Sequence, residues 1–243
     1  MIAYILNRLL QAVGVMIMVA LIAFIMFNYV GDPVSNMVGQ EMSIADREAL
    51  RDRLGLNDPM HEQFVRFIGN AIRGQFGISY KLQRPVDAVI AERLPATLEL
   101  VAISAVFALA VGIALGIYTG LNRNTTGARL VLTLSLIGVS LPTFVIGIVL
   151  IFIFSVQLGW LPSFGRGETI HLGVWTTGLL TASGWQAVIM PAITLGLYQL
   201  TLILRIVRAE MLEVLRTDYI KFARARGLRN RTIHFGHALK NTL

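Results

Sequence analysis

Long apolar runs without a charged side chain dominate this sequence and limit the folds open to it. They cover residues 9–30, 100–121, 130–158 and 188–204, with lengths of 22, 22, 29 and 17 residues. A helix of roughly 20 residues crosses the hydrocarbon core of a bilayer, and a charge at its centre costs about 2.5–3.5 kcal/mol. The runs therefore predict four membrane-spanning helices, of which the third contains Pro142 and is long enough to tilt or bend.

Composition indicates the same class. Of the 243 residues, 55% are hydrophobic and 14% charged, whereas roughly 25% are charged in an ordinary soluble domain. The first apolar run exceeds the roughly 7–15-residue apolar core of a signal peptide, and no A-x-A cleavage site follows it, so we predict a retained helix. The chain has no cysteine, which excludes disulfides, thiolate metal sites and cysteine nucleophiles.

Charge in the connecting segments predicts the orientation. Segment 122–129 holds two arginines and no acid, and segment 205–243 holds nine basic and three acidic residues, which is six of the net charge of +7. By the positive-inside rule both are cytoplasmic, and with four spans the N-terminus is cytoplasmic too. The nearly neutral segment 31–96 is then outside. Because the positive charge clusters at a membrane exit, we predict no nucleic-acid partner.

Segment 31–96 shows signals for two short helices. One begins at Ser43 and ends before Gly55; the other begins at Asp58-Pro59, and its apolar residues follow at helical spacing. Those apolar residues are Phe64, Phe67, Ile68 and Ile72, and the helix is broken by Gly74 and Gly77. The segment is predicted to form a small extracytoplasmic cap, or alternatively part of a docking surface for a partner that delivers a solute.

Three glycines in the second apolar run lie four residues apart, at Gly112, Gly116 and Gly120. In lipid, small residues on one helix face permit close packing of backbones. We expect an internal helix pair at these positions, with a dimerisation face as the alternative.

Motifs for catalysis, nucleotide binding and metal binding are missing. The sequence contains neither G-x-x-x-x-G-K-[ST] nor H-E-x-x-H, and Gly165-Arg166-Gly167 indicates a turn. His234 and His237 lack a third ligand nearby, so they predict a polar helix face rather than a metal site. Glu99 is expected at the N-terminus of the second span, or alternatively along a solute path. The absence of carboxylates within the apolar runs disfavours ion-coupled transport.

The basic carboxyl-terminal tail predicts a helix, a glycine turn and a second helix. Thr217 can cap a helix that runs from Asp218 to Arg226, and Gly227 suits a left-handed C-terminal cap. So short a helix is unstable in isolation, so it must pack on a partner or on the helices beneath it. The residues alone leave two alternatives, a protein-docking element and a basic hairpin on anionic lipid.

Short motifs are spread along the whole chain. The tail carries DYIKFARARGL at 218–228 and HALKN at 237–241; earlier motifs are ILNRLL at 5–10, GDP at 31–33, LGLNDP at 54–59, GQFG at 74–77, RPV at 84–86, RLPATLEL at 93–100 and LGWLP at 158–162. Together they resemble permease subunits of binding-protein-dependent ABC importers, and in particular the oligopeptide, dipeptide and nickel branch. The tail is similar to the EAA loop of these permeases, although Lys-Phe-Ala stands at 221–223 in place of Glu-Ala-Ala.

This resemblance implies an all-α fold, a polytopic membrane helix bundle with four spans and cytoplasmic coupling helices. Residues 1–30 would hold the N-terminal segment and first span, and residues 31–96 the extracytoplasmic cap. Residues 97–243 would form the core permease domain, with a coupling segment at 209–243.

The resemblance also implies a multi-pass protein of the bacterial inner membrane, in contact with lipid. Its partners would be a second permease subunit, two cytoplasmic ATPase subunits that bind ATP and Mg²⁺, and an extracytoplasmic solute-binding protein. The chain itself would be no enzyme and would bind no cofactor. Alternating access driven by the ATPases would translocate peptides or similar small solutes, with nickel chelates, glutathione or oligosaccharides as alternatives.

The residues implied in coupling lie in the first tail helix and its turn. Ile220 and Phe222 would form an apolar plug in a groove of the ATPase, Ala223 would allow close packing, and Gly227 would form the turn. Polar contacts would come from Arg224 or Arg226, and Asp218, Tyr219 and Leu228 complete the set. Because this family normally continues into further membrane helices after the position of Leu243, a fragment or a non-transporting membrane scaffold is the alternative.

Overall fold

The computed structural model describes residues 1–30, 48–49, 51–52, 55–79 and 81–242. The chain divides into two compact units, Met1–Arg93 and Leu94–Leu243. Most of the helix predicted to begin at Ser43 lies outside the described residues. The predicted three-part division of the chain at residues 30 and 96 stays a prediction.

The first unit contains a long helix and a short amphipathic one. Helix α1 spans Ile2–Val30 and helix α2 spans Met60–Ile72. Pro59 directly precedes α2, and Gly74 and Gly77 adopt positive φ angles of 76° and 80°, which confirms the predicted start and break of this helix. A small antiparallel hairpin, β1 (Ile78–Ser79) with β2 (Arg84–Pro85), leads into the next helix.

The second unit is mainly helical, with one further hairpin among its described residues. Its elements in chain order are α3 (Val86–Leu121, which begins in the first unit), α4 (Thr126–Ser135), α5 (Ile137–Ser140), α6 (Thr143–Leu150), a π-helical segment (Ile151–Gln157), β3 (Ile170–Leu172), β4 (Trp175–Thr177), α7 (Ala182–Val214), α8 (Asp218–Ala225), a second π-helical segment (Thr232–Ala238) and α9 (Leu239–Thr242). The predicted all-α class is confirmed, and the tail forms two helical segments separated by a glycine turn, as predicted.

Three helices of the described chain are individually long and apolar enough to cross a membrane, namely Ile2–Met26, Val86–Leu121 and Ala182–Val214. The second and third extend well beyond the apolar runs at 100–121 and 188–204, since helical hydrogen bonding continues where the side chains turn polar. Glu99 consequently lies in the interior of α3, and its expected position at a helix N-terminus is wrong.

The third apolar run forms two helical segments that are separated by a sharp break. Residues Thr126–Ser140 and Thr143–Gln157 pass the same test together but meet at 108°. Pro142 has no backbone N–H and disfavours helix at the residue before it; Leu141 accordingly has an extended backbone, with φ −97° and ψ 137°. The sequence predicted a tilt or bend here, and the structure shows a break.

The break is held by α7. The hydroxyl of Thr201 donates to the carbonyl of Ser135 at 2.7 Å, next to the end of α4. Gly138 fits so closely that an added Cβ would lie 2.6 Å from the carbonyl oxygen of Leu197. Hydroxyl side chains commonly satisfy backbone groups that a broken membrane helix leaves open.

Candidate functional site

Helix α8 begins at Asp218, as predicted, but Thr217 does not cap it through its side chain. The Thr217 hydroxyl instead donates to the carbonyl of Val214 at 2.6 Å, closing the end of α7. Asp218 accepts a hydrogen bond from the Lys221 ammonium at 2.8 Å, one turn along the helix. That hydrogen bond and the positive charge of Lys221 lower the pKa of Asp218.

The glycine turn after α8 has the geometry of a Schellman motif. Gly227 has a φ of 75°. Its N–H donates to the carbonyl of Arg224 at 2.9 Å, and the N–H of Leu228 donates to the carbonyl of Ala223 at 3.3 Å. Nothing lies within 4 Å of a Cβ added at Gly227, so the left-handed backbone, rather than lack of space, favours glycine at this position.

The inner face of α8 packs into its own chain. Ile220 is fully buried and Ala223 nearly so. They belong to one hydrophobic cluster with residues of α3, α7 and the second π-helical segment: Ile117, Val207, Met211, Val214, Ile233 and Ala238. Ile220 therefore cannot enter a groove of another protein, and the role expected for it as part of an apolar plug is corrected to that of an internal anchor. The same burial assigns the close packing of Ala223 to this chain.

The outer face of α8 presents an aromatic side chain to the surroundings. Phe222 is 63% exposed, and the guanidinium of Arg226 lies 5.7 Å from the centre of its ring. Tyr219 and Leu228 are also exposed, as is Arg224. The structure thus separates the predicted coupling residues into an inward set that holds the helix and an outward set that is open to a partner.

The three glycines of α3 lie against α7 within the same unit. A Cβ at Gly116 would lie 2.8 Å from the Cβ of Val207, and one at Gly112 or Gly120 would lie 3.0 Å from Ile203 or 3.1 Å from Met211. The row of glycines thus forms the contact between two helices of one chain. Because Ile117 on α3 and Met211 on α7 also belong to the hydrophobic cluster around Ile220, the contact between α3 and α7 is continuous with the surface on which α8 packs.

A polar cluster joins α3 to the hairpin formed by β3 and β4. The Trp175 indole N–H donates to Glu99 at 3.0 Å, and the Arg166 guanidinium lies 3.4 Å from the second oxygen of the same carboxylate. Arg166 also donates to the side chain and the carbonyl of Thr176. The Glu99 side chain is only 10% exposed. Its carboxylate is occupied by these contacts, which favours a structural role over the alternative role along a solute path.

Sequence reasoning missed this cluster. The ion pair of Arg166 is with Glu99, which lies 67 positions away in the sequence. The signal that could have found it is a carboxylate directly before the uncharged run 100–121, because such a group at a membrane boundary needs a donor or a cation nearby.

Neither histidine of the second π-helical segment belongs to a metal cluster. Across the described residues, no group of three or more His, Asp or Glu side chains is arranged to hold a metal ion. His234 is partly buried, and that burial, together with the positive charge of Arg224, lowers the pKa of its imidazole.

Comparison with known proteins links this arrangement to membrane transport. Residues 112–243 match the family described as "Binding-protein-dependent transport system inner membrane component", and residues 1–101 match the N-terminal family of the same systems. The chain is similar to the glutathione transport system permease protein GsiC of Escherichia coli strain K12 and of Shigella dysenteriae serotype 1. Each is 35% identical over 244 residues, which takes in 100% of this chain and 74% of the relative. GsiC of Salmonella paratyphi A matches with the same identity and coverage.

Proposed function

The chain belongs to the family of binding-protein-dependent transport system inner membrane components and is a permease subunit of an ABC importer; from this premise we propose that α8 is the element through which partner ATPases drive it. The observation that carries the proposal is that α8 is buried on one face and exposed on the other. Ile220 is anchored inside the chain while Phe222, two residues on, faces outward.

The exposed face of α8 has the chemistry of a small docking site. Phe222 offers an aromatic ring, and Arg226, stacked near it, offers a guanidinium that can pair with carboxylates. The ring would fill an apolar groove of an ATPase subunit, with the exposed Arg224 and Tyr219 at its margin. Buried aromatic anchors surrounded by polar contacts are typical of residues that dominate binding energy in interfaces.

The inner face explains how a push on α8 would reach the spans. Ile220 packs in one cluster with Ile117 of α3 and Met211 of α7. Because closely packed interiors transmit displacement rather than absorbing it, a movement of α8 would shift the adjoining ends of both helices. The coupling can be no larger than the difference in docking free energy between the two states of the ATPase.

We further propose the assembly that this mechanism requires. It comprises a second permease subunit, two cytoplasmic ATPase subunits that bind ATP with Mg²⁺, and a solute-binding protein outside the membrane. The tail and the N-terminus would be cytoplasmic, in agreement with the positive charge of segment 205–243. Peptides or similar small solutes would be the cargo; glutathione, named in the relatives, is the first to test.

The test is co-purification in mild detergent of this chain with the ATPase and permease subunits expressed beside it. Phe222→Ala removes the exposed ring of α8, and Phe164→Ala removes a ring that is more exposed still but lies in the loop between the first π-helical segment and β3. Burial of a phenylalanine contributes about 1.5–3 kcal/mol, so Phe222→Ala should weaken ATPase binding by roughly 10-fold to 100-fold. Phe164→Ala should leave it unchanged.

Two outcomes contradict the proposal in different ways. Equal capture of the ATPase by both variants would place the docking face elsewhere on the chain. Failure of the unmodified chain to capture an ATPase, when membrane insertion is normal, would favour the non-transporting scaffold. Uptake of labelled glutathione and dipeptides by vesicles that contain the complete assembly then identifies the solute class.

A further inference from the structure

Helix α2 presents more apolar surface than its contacts within the chain cover. In its own unit it meets α1 through aromatic rings: Phe24 lies 5.5 Å from Phe64 and 5.9 Å from Phe67, measured between ring centres. Other apolar side chains of α2 stay outside this contact. Val65 is 69% exposed and Ile72 is 82% exposed.

The side chains of α2 point in three separate directions. At about 100° per residue, Phe64 and Phe67 lie on the side of the helix that contacts α1. Val65 and Ile72 lie roughly 120° around the axis from that side. Glu62 and Arg73 follow further around, on the polar flank.

The polar flank is tied to the turn that precedes the helix. The Gln63 side-chain amide donates to the carbonyls of Leu56 and Asp58, at 2.9 and 2.8 Å. Arg66 forms an ion pair with the Asp58 carboxylate. These bonds fix the rotation of α2 about its axis, so the exposed apolar edge faces a constant direction.

The contact with Phe24 determines the position of α2 along the membrane normal. Phe24 lies six residues before Val30, where the uncharged run 9–30 of α1 ends, or about 9 Å along the helix axis. A run of 22 residues spans a bilayer core, so Phe24 lies in the part of α1 nearest one boundary of the hydrocarbon. Helix α2, packed on this ring, lies at the same boundary, and the exposed apolar flank of α1 continues onto it.

We propose that α2 is an interfacial helix, with its Val65 and Ile72 edge in the lipid where α1 leaves the membrane and its Glu62 and Arg73 flank in water. An amphipathic helix with an apolar face and a charged opposite flank is suited to this boundary. The lipid surface would then hold segment 55–79 against the membrane, independently of any ATPase or solute-binding protein.

Site-directed spin labelling tests the proposal on the full chain. Because the sequence contains no cysteine, each of the variants Val65→Cys, Ile72→Cys, Glu62→Cys and Arg73→Cys carries a single labelling site. The labelled proteins are reconstituted into vesicles of phosphatidylethanolamine and phosphatidylglycerol, with and without the partner subunits. Collision rates of the label with oxygen, which concentrates in lipid, and with a water-soluble nickel chelate are then compared.

The expected result is an oxygen-to-nickel ratio above one at positions 65 and 72 and below one at positions 62 and 73. Ready access of the nickel chelate to all four labels would overturn the proposal, because α2 would then lie in water. Exclusion of both reagents from positions 65 and 72 would overturn it too, since a protein would cover this edge. The unlabelled variants must insert and elute like the unmodified chain, which removes misfolding as a cause of either result.

Discussion

The contact between α3 and α7 predicts a measurable steric effect of a single methyl group. A Cβ at Gly116 would lie 2.8 Å from the Cβ and 2.9 Å from a methyl carbon of Val207, and 3.0 Å from the carbonyl oxygen of Leu204. Carbon atoms in good contact are about 3.5–4.0 Å apart. Gly116→Ala therefore forces the two helices apart or displaces Val207.

The cost can be separated from the intrinsic preference of alanine for helix. Extra methyl groups in a packed interior cost about 1–3 kcal/mol, whereas alanine in place of glycine stabilises a helix by roughly 1 kcal/mol. Gly14 lies within α1, and nothing lies within 4 Å of a Cβ added there. The Gly14→Ala variant should therefore show only the helix preference of alanine, without a steric cost. The difference between the two variants should be about 1–3 kcal/mol in the free energy of unfolding.

The assay is unfolding of the purified protein in detergent micelles as the fraction of sodium dodecyl sulfate rises, followed by far-ultraviolet circular dichroism. Gly112→Ala and Gly120→Ala should fall between the other two variants, because their added Cβ atoms would lie 3.0 and 3.1 Å from their neighbours. Equal midpoints for Gly116→Ala and Gly14→Ala would refute the tight helix pair.

Three further predictions concern the described side chains directly. Ile220→Ala should lower the free energy of unfolding by about 2–5 kcal/mol in the same assay, because it leaves a cavity beneath α8; no change would contradict its anchoring role. Trp175→Phe should cost about 1–3 kcal/mol, since it removes a donor to the nearly buried Glu99, whereas an unchanged unfolding midpoint would show that water replaces the indole. Burial and a neighbouring arginine lower the pKa of His234 below 6.5, so the unfolded state binds the extra proton first and the free energy of unfolding falls as pH drops through about 6.5. The free energy of unfolding of the His234→Gln variant should therefore fall less than that of the unmodified chain between about pH 7.5 and 5.5. Equal losses in the two proteins would contradict the lowered pKa.

The tail illustrates how far local sequence signals reach. The glycine after its last turn placed the C-terminal cap of α8 correctly, and α8 begins at Asp218 as predicted, although the side chain of Thr217 does not cap it. The same signals could not tell which apolar residue faces inward, because Ile220 and Phe222 are both candidates for burial. The side chains of Met211, Ile233 and Ala238, brought together from separate elements, decide in favour of Ile220.

Close helix packing was also visible in the spacing of Gly112, Gly116 and Gly120, since small residues four apart occupy one face of a helix. The spacing could not identify the helix that packs against these glycines. A helix of a second copy of the chain and another helix of the same chain could pack on this face of α3 equally well. The seating of α7 on it follows from the fold of the whole unit.

The membrane class, the number of apolar runs and the family all follow from composition, length and motifs that are read along the chain. Contacts between distant parts of the chain determine the 108° break at Leu141 and Pro142, the pairing of Glu99 with Arg166 and the burial of Ile220. Proline indicates where a helix can break, but the angle depends on what holds the two halves, here the packing against α7. A buried charge likewise indicates that a partner is needed, and only the fold brings that partner across 67 positions of sequence.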